Sequence, residues 1–437
     1  MLTNKNICVI GIWHLGSVYS TCLADMGYVV TGSDPDADRV TNLNNGIPPL
    51  FEPGLQELLN ANLAAGRLKY TADIKNAVKG CNFVMVTFDT PVDDNDDVDM
   101  SPVLNACREI ATNLIDGAVI IISSQVPVGT CDDIKAMIRE INPALNFDIA
   151  CSPENLRLGK AIDYFKQPDR IVIGADSEVT LDKVEEFFSV IPSPRLRMGL
   201  RTAEMVKHAL NAFLATSISF ANEIANLCDE VGADALKVAA ALKSDVRIGP
   251  GVPLLPGLAF AGGTLARDLK ILKKLGKDHG YETALIDGVL SVNRRQNSLV
   301  LRKLQKIYGS IKNLTIGVLG LTYKPGTSTL RRSAALEIIK ELTDNGATIK
   351  AYDPKADLAE LKEHSSFDFL TDANAVAKDA DALVIISEWP EFKQLDFSQL
   401  KTLMKKPVLI DTKNMLDGRR LTDLGFLYSG VGRGGNL

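Results

Sequence analysis

Short and almost wholly apolar segments alternate with amphipathic stretches through the first part of the chain. Six of the apolar segments are typical of strands: NICVIG, YVVTGSD, NFVMVTF, GAVIIISS, NFDIACS and DRIVIGA. Apolar runs of this length characterise strands that are covered on both faces of a parallel sheet. The amphipathic stretch Ser17–Met26 lies between the first two strands. The alternation of strand and helix predicts a doubly wound α/β domain.

The pattern becomes purely helical beyond Leu200. The stretch from Thr202 to Val231 has no glycine or proline and carries apolar residues at helical spacing. It predicts one helix of about 30 residues, ~45 Å long. A second predicted helix, ADALKVAAALKSD, precedes a glycine- and proline-rich loop, IGPGVPLLPGLAFAGGT, and helices continue to Arg294. Such a spacer commonly forms a dimer interface, and the alternative is a long helix buried inside a monomer.

A second α/β series begins at Leu314. The segment GYVVTGSDP, residues 27–35, and the segment GATIKAYDP, residues 346–354, share the same order of glycine, strand and Asp-Pro. The other predicted strands of this series are LTIGVLG, ALVIIS and PVLID. The predicted fold class is therefore α/β, with two Rossmann-like doubly wound domains joined by a helical central domain that contains one long helix. The expected boundaries are 1–200, 201–296 and 297–437.

Composition and charge narrow the function classes. A chain of 437 residues is too long to fold around a single hydrophobic core. Its 48 basic and 54 acidic residues give a net charge of −6, and the sequence contains no long basic run. A nucleic-acid partner is therefore not expected. We also expect no membrane span and no signal peptide. The seven cysteines are scattered and form no metal-like cluster with the four histidines, so we expect no metal site and a cytoplasmic location.

The segment GIWHLG follows the first predicted strand, where dinucleotide-binding proteins carry Gly-x-Gly-x-x-Gly. Gly11 would make the tight turn after the strand, and Gly16 would let the helix pack closely on the sheet. Trp13 replaces the middle glycine, which normally lets the backbone approach a pyrophosphate. The fingerprint is thus incomplete, and one alternative is a domain that kept the fold and lost the ligand.

Three further residues favour binding. The backbone amides of His14 and Leu15 can meet a phosphate at the helix N-terminus if the Trp13 side chain points away. Asp34 ends the second predicted strand, where a carboxylate accepts hydrogen bonds from an adenosine ribose and disfavours a 2′-phosphate. The predicted cofactor is NAD.

A series of longer motifs then appears in order along nearly the whole chain. They include NNGIPPLFEPGLQELL, SPENLRLGKAID, EMVKHALNAFLATSISFANEIANLC, VRIGPGVPLLPGLAFAGGTLARD and GLTYKPGTSTLRRSAALEII. The set resembles the UDP-glucose/GDP-mannose dehydrogenase family. The resemblance implies an N-terminal NAD domain, a central dimerising domain and a C-terminal nucleotide-sugar domain. Members oxidise a primary alcohol to a carboxylate with two NAD, through an aldehyde and a cysteine-bound thioester.

The resemblance also implies catalytic residues. Lys207 and Asn211 are four apart on the predicted long helix and share a face, where both would stabilise a developing oxyanion. Glu154 matches an acid/base or water-activating glutamate, and Asp268 matches an aspartate that handles the proton of the first oxidation. The alternative is a solvated helix face with two ordinary surface acids.

Substrate and cofactor contacts are carried over in the same way. Arg247 matches an arginine that reaches into the neighbouring subunit's site, and the loop 249–257 with Phe260 matches the segment that wraps the diphosphate. The remaining implied substrate contacts are Leu156, Arg157, Leu255, Gly257, Lys324 and Lys413. The remaining implied cofactor contacts are Arg39, Thr90, Gln125 and Arg331.

The sequence departs from the family at the nucleophile. Thr264 stands where the family has its catalytic cysteine, and no cysteine follows Cys228. A threonine hydroxyl yields essentially no anion at neutral pH, so a thioester cannot form there. Cys151 lies three residues before Glu154 and is better interpreted as a buried thiol at a strand end.

The lead hypothesis is accordingly an NAD-dependent oxidoreductase that acts on the CH–OH group of a nucleotide sugar without the thioester step. One alternative is an epimerase or decarboxylase that uses bound NAD transiently. Another is a two-step dehydrogenase in which a different group or a hydrate replaces the thioester. A third is a non-catalytic homologue that binds a nucleotide sugar or a partner subunit.

Overall fold

The computed structural model describes residues 6–90, 98–260, 265–330, 333–362 and 366–434. The chain divides into two compact units, with the division between Leu210 and Asn211. Each unit carries its own sheet. Within the described residues, no helix is both long and apolar enough to cross a membrane.

The first unit is built on a sheet of eight strands in the order β3-β2-β1-β4-β5-β6-β7-β8. The strands are β1 Asn6–Ile10, β2 Val29–Ser33, β3 Leu68–Thr71, β4 Phe83–Val86, β5 Ala118–Ile122, β6 Phe147–Cys151, β7 Ile171–Ala175 and β8 Arg195–Met198. The predicted parallel sheet is confirmed with one exception, because β6 and β7 pair antiparallel through Cys151 and Gly174. β1, β4 and β5 are apolar and buried almost throughout, as expected for strands between two layers of helices.

Helices cover both faces of this sheet and enclose two apolar cores, one on each face. The helices are α1 His14–Asp25, α2 Ala37–Asn44, α3 Leu55–Ala64, α4 Ile74–Ala77, α5 Ser101–Ile110, α6 Thr130–Ile141, α7 Ala161–Lys166 and α8 Glu178–Phe187. A short 3₁₀ turn, Phe188–Val190, follows α8. The carboxyl ends of β1 and β2 lie side by side, so the loops after them meet at one sheet edge.

The long helix α9 runs from Leu200 to Val231, which confirms the predicted helix and begins it two residues earlier. The other helices of the second half are α10 Ala235–Ser244, α11 Leu265–Asp278, α12 Ala284–Asn297, α13 Leu299–Tyr308, α14 Ala334–Asp344, α15 Leu358–Leu361, α16 Ala373–Ala377, α17 Phe397–Leu403 and α18 Gly418–Asp423. A 3₁₀ turn, Pro390–Gln394, lies between α16 and α17.

The second unit contains a six-stranded parallel sheet in the order β11-β10-β9-β12-β13-β14. Its strands are β9 Thr315–Leu319, β10 Thr348–Tyr352, β11 Asp368–Phe369, β12 Ala382–Ile385, β13 Val408–Asp411 and β14 Leu427–Gly430. The order β10-β9-β12-β13 repeats β2-β1-β4-β5 of the first unit. The internal repeat detected in the sequence is therefore a repeat of the fold.

The repeat extends to single residues at the first strand–helix turn. Gly11 and Gly320 both have positive φ, +88° and +95°. Their amides donate to the last residue of the neighbouring strand, Ser33 at 2.9 Å and Tyr352 at 2.8 Å. The aspartates after those strands differ in their partners. One Asp353 oxygen accepts from the Leu321 and Thr322 amides, the Thr322 hydroxyl and the Trp389 indole, at 2.7–3.1 Å.

Four strands were absent from the sequence prediction: β3, β8, β11 and β14. β3 alternates buried and exposed positions, and no residue of β8 is fully buried, so neither forms a continuous apolar run. β11 has two residues, and β14 reads LYSG. These strands lie at or next to the ends of their sheets.

A buried carboxylate on α9 holds the start of α6. Gly129, the residue before α6, has no side chain to cap the helix. Glu204, 2% exposed, accepts from the Gly129 amide at 2.6 Å and from the Cys131 amide at 2.8 Å. The first turn of α9 is thereby fixed to the sheet-covering helix α6.

Candidate active site

The two retained glycines of GIWHLG lie in a tightly packed turn. A Cβ atom on Gly11 would lie 2.7 Å from the Phe88 amide nitrogen, and its φ is positive. A Cβ atom on Gly16 would lie 2.0 Å from the Gly11 carbonyl oxygen. The turn between β1 and α1 is therefore too close-packed for any side chain at these two positions.

Trp13 is half-buried and directly precedes α1, which begins at His14 and not at the predicted Ser17. No side chain caps this helix start. The amides of His14 and the buried Leu15 therefore lie in the first turn of a helix, where the backbone favours an anion. Trp13 occupies the turn without disrupting it.

His14 is held by a buried glutamate that the sequence analysis missed. Glu52, 3% exposed, accepts from the Gly159 and Ala161 amides at 2.8 and 2.7 Å and lies 3.1 Å from His14 Nε2. Burial acts to raise the pKa of Glu52, but the hydrogen bonds from His14, Ala161 and Gly159 prevail and lower it. The start of α1 is thus tied to the segment before α7. The motif FEPGLQELL contains this glutamate, but nothing in its spacing revealed the partners.

Asp34 lies at the end of β2, 1% exposed. Its Oδ2 accepts from the Ile12 amide at 2.9 Å and from Arg39 Nη1 at 2.8 Å, and its Oδ1 accepts from the Asp36 amide. The predicted contacts Asp34 and Arg39 are therefore brought together beside the Gly11 turn. A close glycine turn, an uncapped helix start and a carboxylate after the second strand fit a dinucleotide.

Two further predicted cofactor residues lie at neighbouring strand ends. Thr90, after β4, and Gln125, after β5, are both buried, and the Thr90 hydroxyl donates to the Gln125 carbonyl at 2.9 Å. The carboxyl ends of adjacent parallel strands are where open α/β sheets bind ligands. Arg331 lies outside the described residues.

Glu154 and Lys207, both in the first unit, form a charge pair in which Lys207 is buried and Glu154 is half-buried. Lys207 Nζ donates to Glu154 Oε1 at 2.9 Å and to the Glu154 carbonyl at 2.8 Å. The other Glu154 oxygen accepts from the Leu156 amide at 2.7 Å. Lys207 is 8% exposed and the Glu154 side chain 20%, so both charges are largely shielded from solvent. Leu156 contributes its backbone here, and Arg157 lies 4.5 Å from the Tyr164 ring centroid.

Asn211 and Asp268, both in the second unit, form a second pair. The Asn211 amide nitrogen donates to Asp268 Oδ2, from α9 to the first turn of α11. Their exposed fractions are 5% and 0%. Asn211 stands four residues after Lys207 on α9, so the predicted spacing is realised on a continuous helix.

Three amide side chains clamp the loop before α11, and none of them was predicted. Asn222 accepts from the Gly257 amide at 2.8 Å, Gln296 donates to the Gly257 carbonyl at 2.6 Å, and Asn293 bonds both backbone groups of Phe260. Asn222 and Gln296 are almost fully buried. Each lies in a helix, and helical spacing alone does not separate such residues from core positions.

The other predicted substrate residues are more exposed. Leu255 is 64% exposed, and Lys324 is half-buried in the loop after β9. Arg247 lies on the surface, where it binds Asp245 through two hydrogen bonds of 2.9 and 2.6 Å. Lys413 is exposed and pairs with Glu388 at 3.1 Å.

All seven cysteines are free and buried. Burial raises the pKa of Cys22 and Cys107 to about 12, raises that of Cys81 to about 11, and also raises those of Cys8 and Cys228. A hydrogen bond with Cys151, together with burial, raises the pKa of Cys131. The Cys151 side chain itself is 1% exposed. Thr264 lies outside the described residues.

The described residues also contain no group of three or more His, Cys, Asp or Glu side chains placed to hold a metal ion. A doubly wound domain with a glycine turn, and buried pairs that combine a carboxylate with a cation or an amide, define the class as a nucleotide-dependent α/β dehydrogenase.

Comparisons with known proteins specify the family. Its NAD binding domain matches residues 5–191, its central domain 201–295 and its UDP binding domain 317–418. UDP-glucose 6-dehydrogenase of Rhizobium meliloti is 39% identical over 98% of this chain and 99% of its own length. UDP-glucose 6-dehydrogenase TuaD of Bacillus subtilis is 37% identical over 98% of this chain and 93% of its own length.

Solved structures agree with this assignment. A UDP-glucose dehydrogenase from Pyrobaculum islandicum has a TM-score of 0.88 at 29% identity, covering 98% of both chains. A UDP-D-ManNAc dehydrogenase from Pyrococcus horikoshii has a TM-score of 0.87 at 26% identity, covering 98% of this chain and 99% of its own. The chain belongs to the UDP-glucose/GDP-mannose dehydrogenase family. It is an NAD-dependent nucleotide-sugar dehydrogenase with two Rossmann-like domains and a helical central domain.

Proposed function

We propose that this dehydrogenase oxidises the primary alcohol of a nucleotide sugar to the aldehyde and stops after one hydride transfer. Thr264 at the nucleophile position carries this proposal. The buried thiols support it, because no described cysteine is exposed enough to substitute. The relatives named above support a UDP-sugar as the substrate class, with UDP-glucose the first compound to test.

NAD bound at the turn between β1 and α1 would supply the acceptor for the hydride of the carbinol carbon. The start of α1 would hold the pyrophosphate through the His14 and Leu15 amides, and Asp34 would accept hydrogen bonds from a ribose. Trp13 adds bulk without removing these amides.

Lys207 stabilises the alkoxide that develops as the hydroxyl proton leaves. An ammonium carries three hydrogens, and the bonds to Glu154 use two of them. The third hydrogen is left for a substrate oxygen. Glu154 and its carbonyl fix the direction of the ammonium, so its charge is preorganised for the transition state.

Asn211 and Asp268 handle the proton. The Asp268 carboxylate is fully buried and its Oδ2 is oriented by the Asn211 amide. A buried, oriented carboxylate suits a general base that receives the hydroxyl proton as the aldehyde forms. Loss of one proton and one hydride balances the oxidation of the alcohol to the aldehyde.

The test is the amount of NADH formed per nucleotide sugar consumed, measured with purified protein, NAD and UDP-glucose followed by other UDP-sugars. We expect one NADH and an aldehyde product. Two NADH and a carboxylate would contradict the proposal. Consumption of substrate without net NADH would instead indicate the epimerase or decarboxylase, which the comparisons do not favour. Failure to bind NAD would indicate the non-catalytic homologue, which they do not favour either.

Thr264→Cys provides the matching gain of function. We expect the ratio to rise from one to two NADH, because a thiol permits the thiohemiacetal from which the second hydride leaves. Thr264→Ser is the control, since it keeps a hydroxyl of similar size and should leave the ratio at one.

We further propose that the central segment, residues 201–296, forms a homodimer through α9. Phe213, Phe220 and Leu227 follow at intervals of seven residues, and Val231 is four further on. This spacing places them on one side of the helix. They are 57%, 47%, 57% and 76% exposed, an apolar stripe that solvent does not favour.

The seven free cysteines support a reducing compartment such as the cytoplasm. Iodoacetamide labelling of protein taken directly from cells should modify none of the thiols in the native state and all seven after denaturation. Fewer than seven after denaturation, with recovery on reduction, would indicate disulfides and contradict this location.

A further inference from the structure

The second unit contains a cavity of about 800 Å³ that the reaction does not use. Its wall is formed by the C-terminal half of α9, the α12–α13 region, and α18 with β14. None of the residues assigned above to NAD, to catalysis or to the nucleotide sugar lines it. A volume of this size falls in the range of small-molecule and nucleotide sites.

The wall of the cavity is dominated by charge, with an excess of bases. Six basic side chains face four acidic ones. The basic residues are Arg295, Arg302, Lys303, Lys306, Arg419 and Arg433, and the acidic residues are Glu223, Asp229, Glu230 and Asp423.

Acidic side chains neutralise four of the bases. Arg295 pairs with Glu223 at 2.9 Å, Lys303 with Asp229 at 2.9 Å, and Lys306 with Glu230 at 3.9 Å. Arg433 pairs with Asp234 at 3.7 Å. Across the part of the chain that the structure describes, Arg302 and Arg419 form no ion pair.

Arg302 is held in an unfavourable position for a cation. It is half-buried, and its Nη1 donates to the backbone carbonyl of Arg295. Burial and then the Arg295 charge lower the pKa of Arg302, while Glu341 acts in the opposite direction. An anion in the cavity would relieve both unfavourable effects.

One base of the wall is fixed by a hydrogen bond, and part of the wall is apolar. Lys303 is 7% exposed and donates to the Ser429 hydroxyl at 3.2 Å, so one base is fixed in place. Leu299 and Tyr428 supply apolar surface next to the charges, and Leu227, which also belongs to the exposed stripe of α9, borders the cavity. Arginine forks bind phosphoryl groups in a bidentate geometry, and an apolar wall suits the remainder of a nucleotide.

We propose that this cavity is a second ligand site, for a phosphate-bearing small molecule of nucleotide size, with Arg302 and Arg419 binding the phosphoryl groups. The site does not depend on the number of hydrides that the enzyme transfers.

The experiment is isothermal titration of the full-length enzyme with inorganic tripolyphosphate and with ATP, in the presence of saturating NAD to occupy the dinucleotide site. The test variant is Arg302→Gln/Arg419→Gln. The matched control is Arg294→Gln, which removes an exposed arginine next to Arg295 that does not line the cavity. We expect the double variant to bind both probes at least tenfold more weakly and the control to bind them as the wild type does.

Absence of binding to the wild type, or equal binding by the double variant, would overturn the proposal. A changed sedimentation coefficient of the double variant with unchanged probe affinity would also overturn it, because a second copy of the chain would then cover the cavity. If the double variant unfolds, the exposed Arg419→Gln alone keeps the question open to measurement, and we expect a several-fold weakening from it.

Discussion

Lys207 is the residue on which the proposed chemistry depends most. Lys207→Ala removes a buried ammonium that Glu154 holds in place. We expect kcat to fall by about 10²–10³-fold with a smaller change in KM, because the lost interaction is made mainly in the transition state. Arg201→Ala on the same helix, where the side chain is 73% exposed, is the control. Steady-state NADH formation distinguishes the two, and equal loss in both variants would contradict the role.

Because of Glu52, the stability of the first unit should decrease as the pH falls below the ordinary pKa of a glutamate. Its pKa is lowered from 4.5 on folding, so its contribution is present above that value and is lost as pH falls through the lower folded value. We expect Glu52→Gln to reduce the free energy of unfolding by about 1–3 kcal/mol at pH 7, and by progressively less below about pH 4.5.

Urea unfolding at several pH values measures this dependence. Glu57→Gln is the matched control, since Glu57 is an exposed acid in the first turn of α3. A constant difference between wild type and Glu52→Gln from pH 7 to pH 4 would contradict the assignment of the effect to the Glu52 charge.

Among the elements, α6 depends on a cap from a distant helix. Glu204→Ala leaves the amides of the half-buried Gly129 and the buried Cys131 without their acceptor. We expect a loss of about 1–3 kcal/mol, and a smaller loss for Glu204→Gln, which retains one acceptor oxygen. Chemical denaturation followed by circular dichroism checks both values. Equal losses would show that the carboxylate packs and does not cap.

The elements also show what the sequence could and could not predict. The apolar strands β1, β4 and β5, the helix α9 and the repeated Gly-to-Asp turn were predictable because each has a local periodic signal. The members of the pairs Glu154–Lys207 and Asn211–Asp268 were predicted individually, through the resemblance to the family. The contacts within each pair join positions far apart in the chain, so only the folded structure reveals them. Glu52 and the amide clamp of Asn222, Asn293 and Gln296 have no local pattern, because their partners are backbone groups.

At the scale of the whole molecule, the stripe on α9 predicts the oligomeric state. Phe220→Asp places a charge in the middle of the apolar stripe, and in a symmetric dimer it would enter the interface from both copies. We expect the variant to sediment as a monomer at concentrations where the wild type is a dimer. Val179→Asp, an exposed apolar position on α8, is the control. A wild-type monomer, or an unchanged dimer in the variant, would contradict the proposal.

The two related turns give the molecule unequal tolerance to the same change. Asp34 shares its carboxylate between its own chain and, as proposed, a ribose, whereas one Asp353 oxygen already accepts four hydrogen bonds from its own chain. Asp34→Asn should therefore appear mainly as weaker NAD binding, and Asp353→Asn as a lower melting temperature. One strand–turn–helix plan is therefore used twice in the molecule with different consequences: a change at the first turn should alter cofactor recognition, and the same change at the second should cost the stability of its domain.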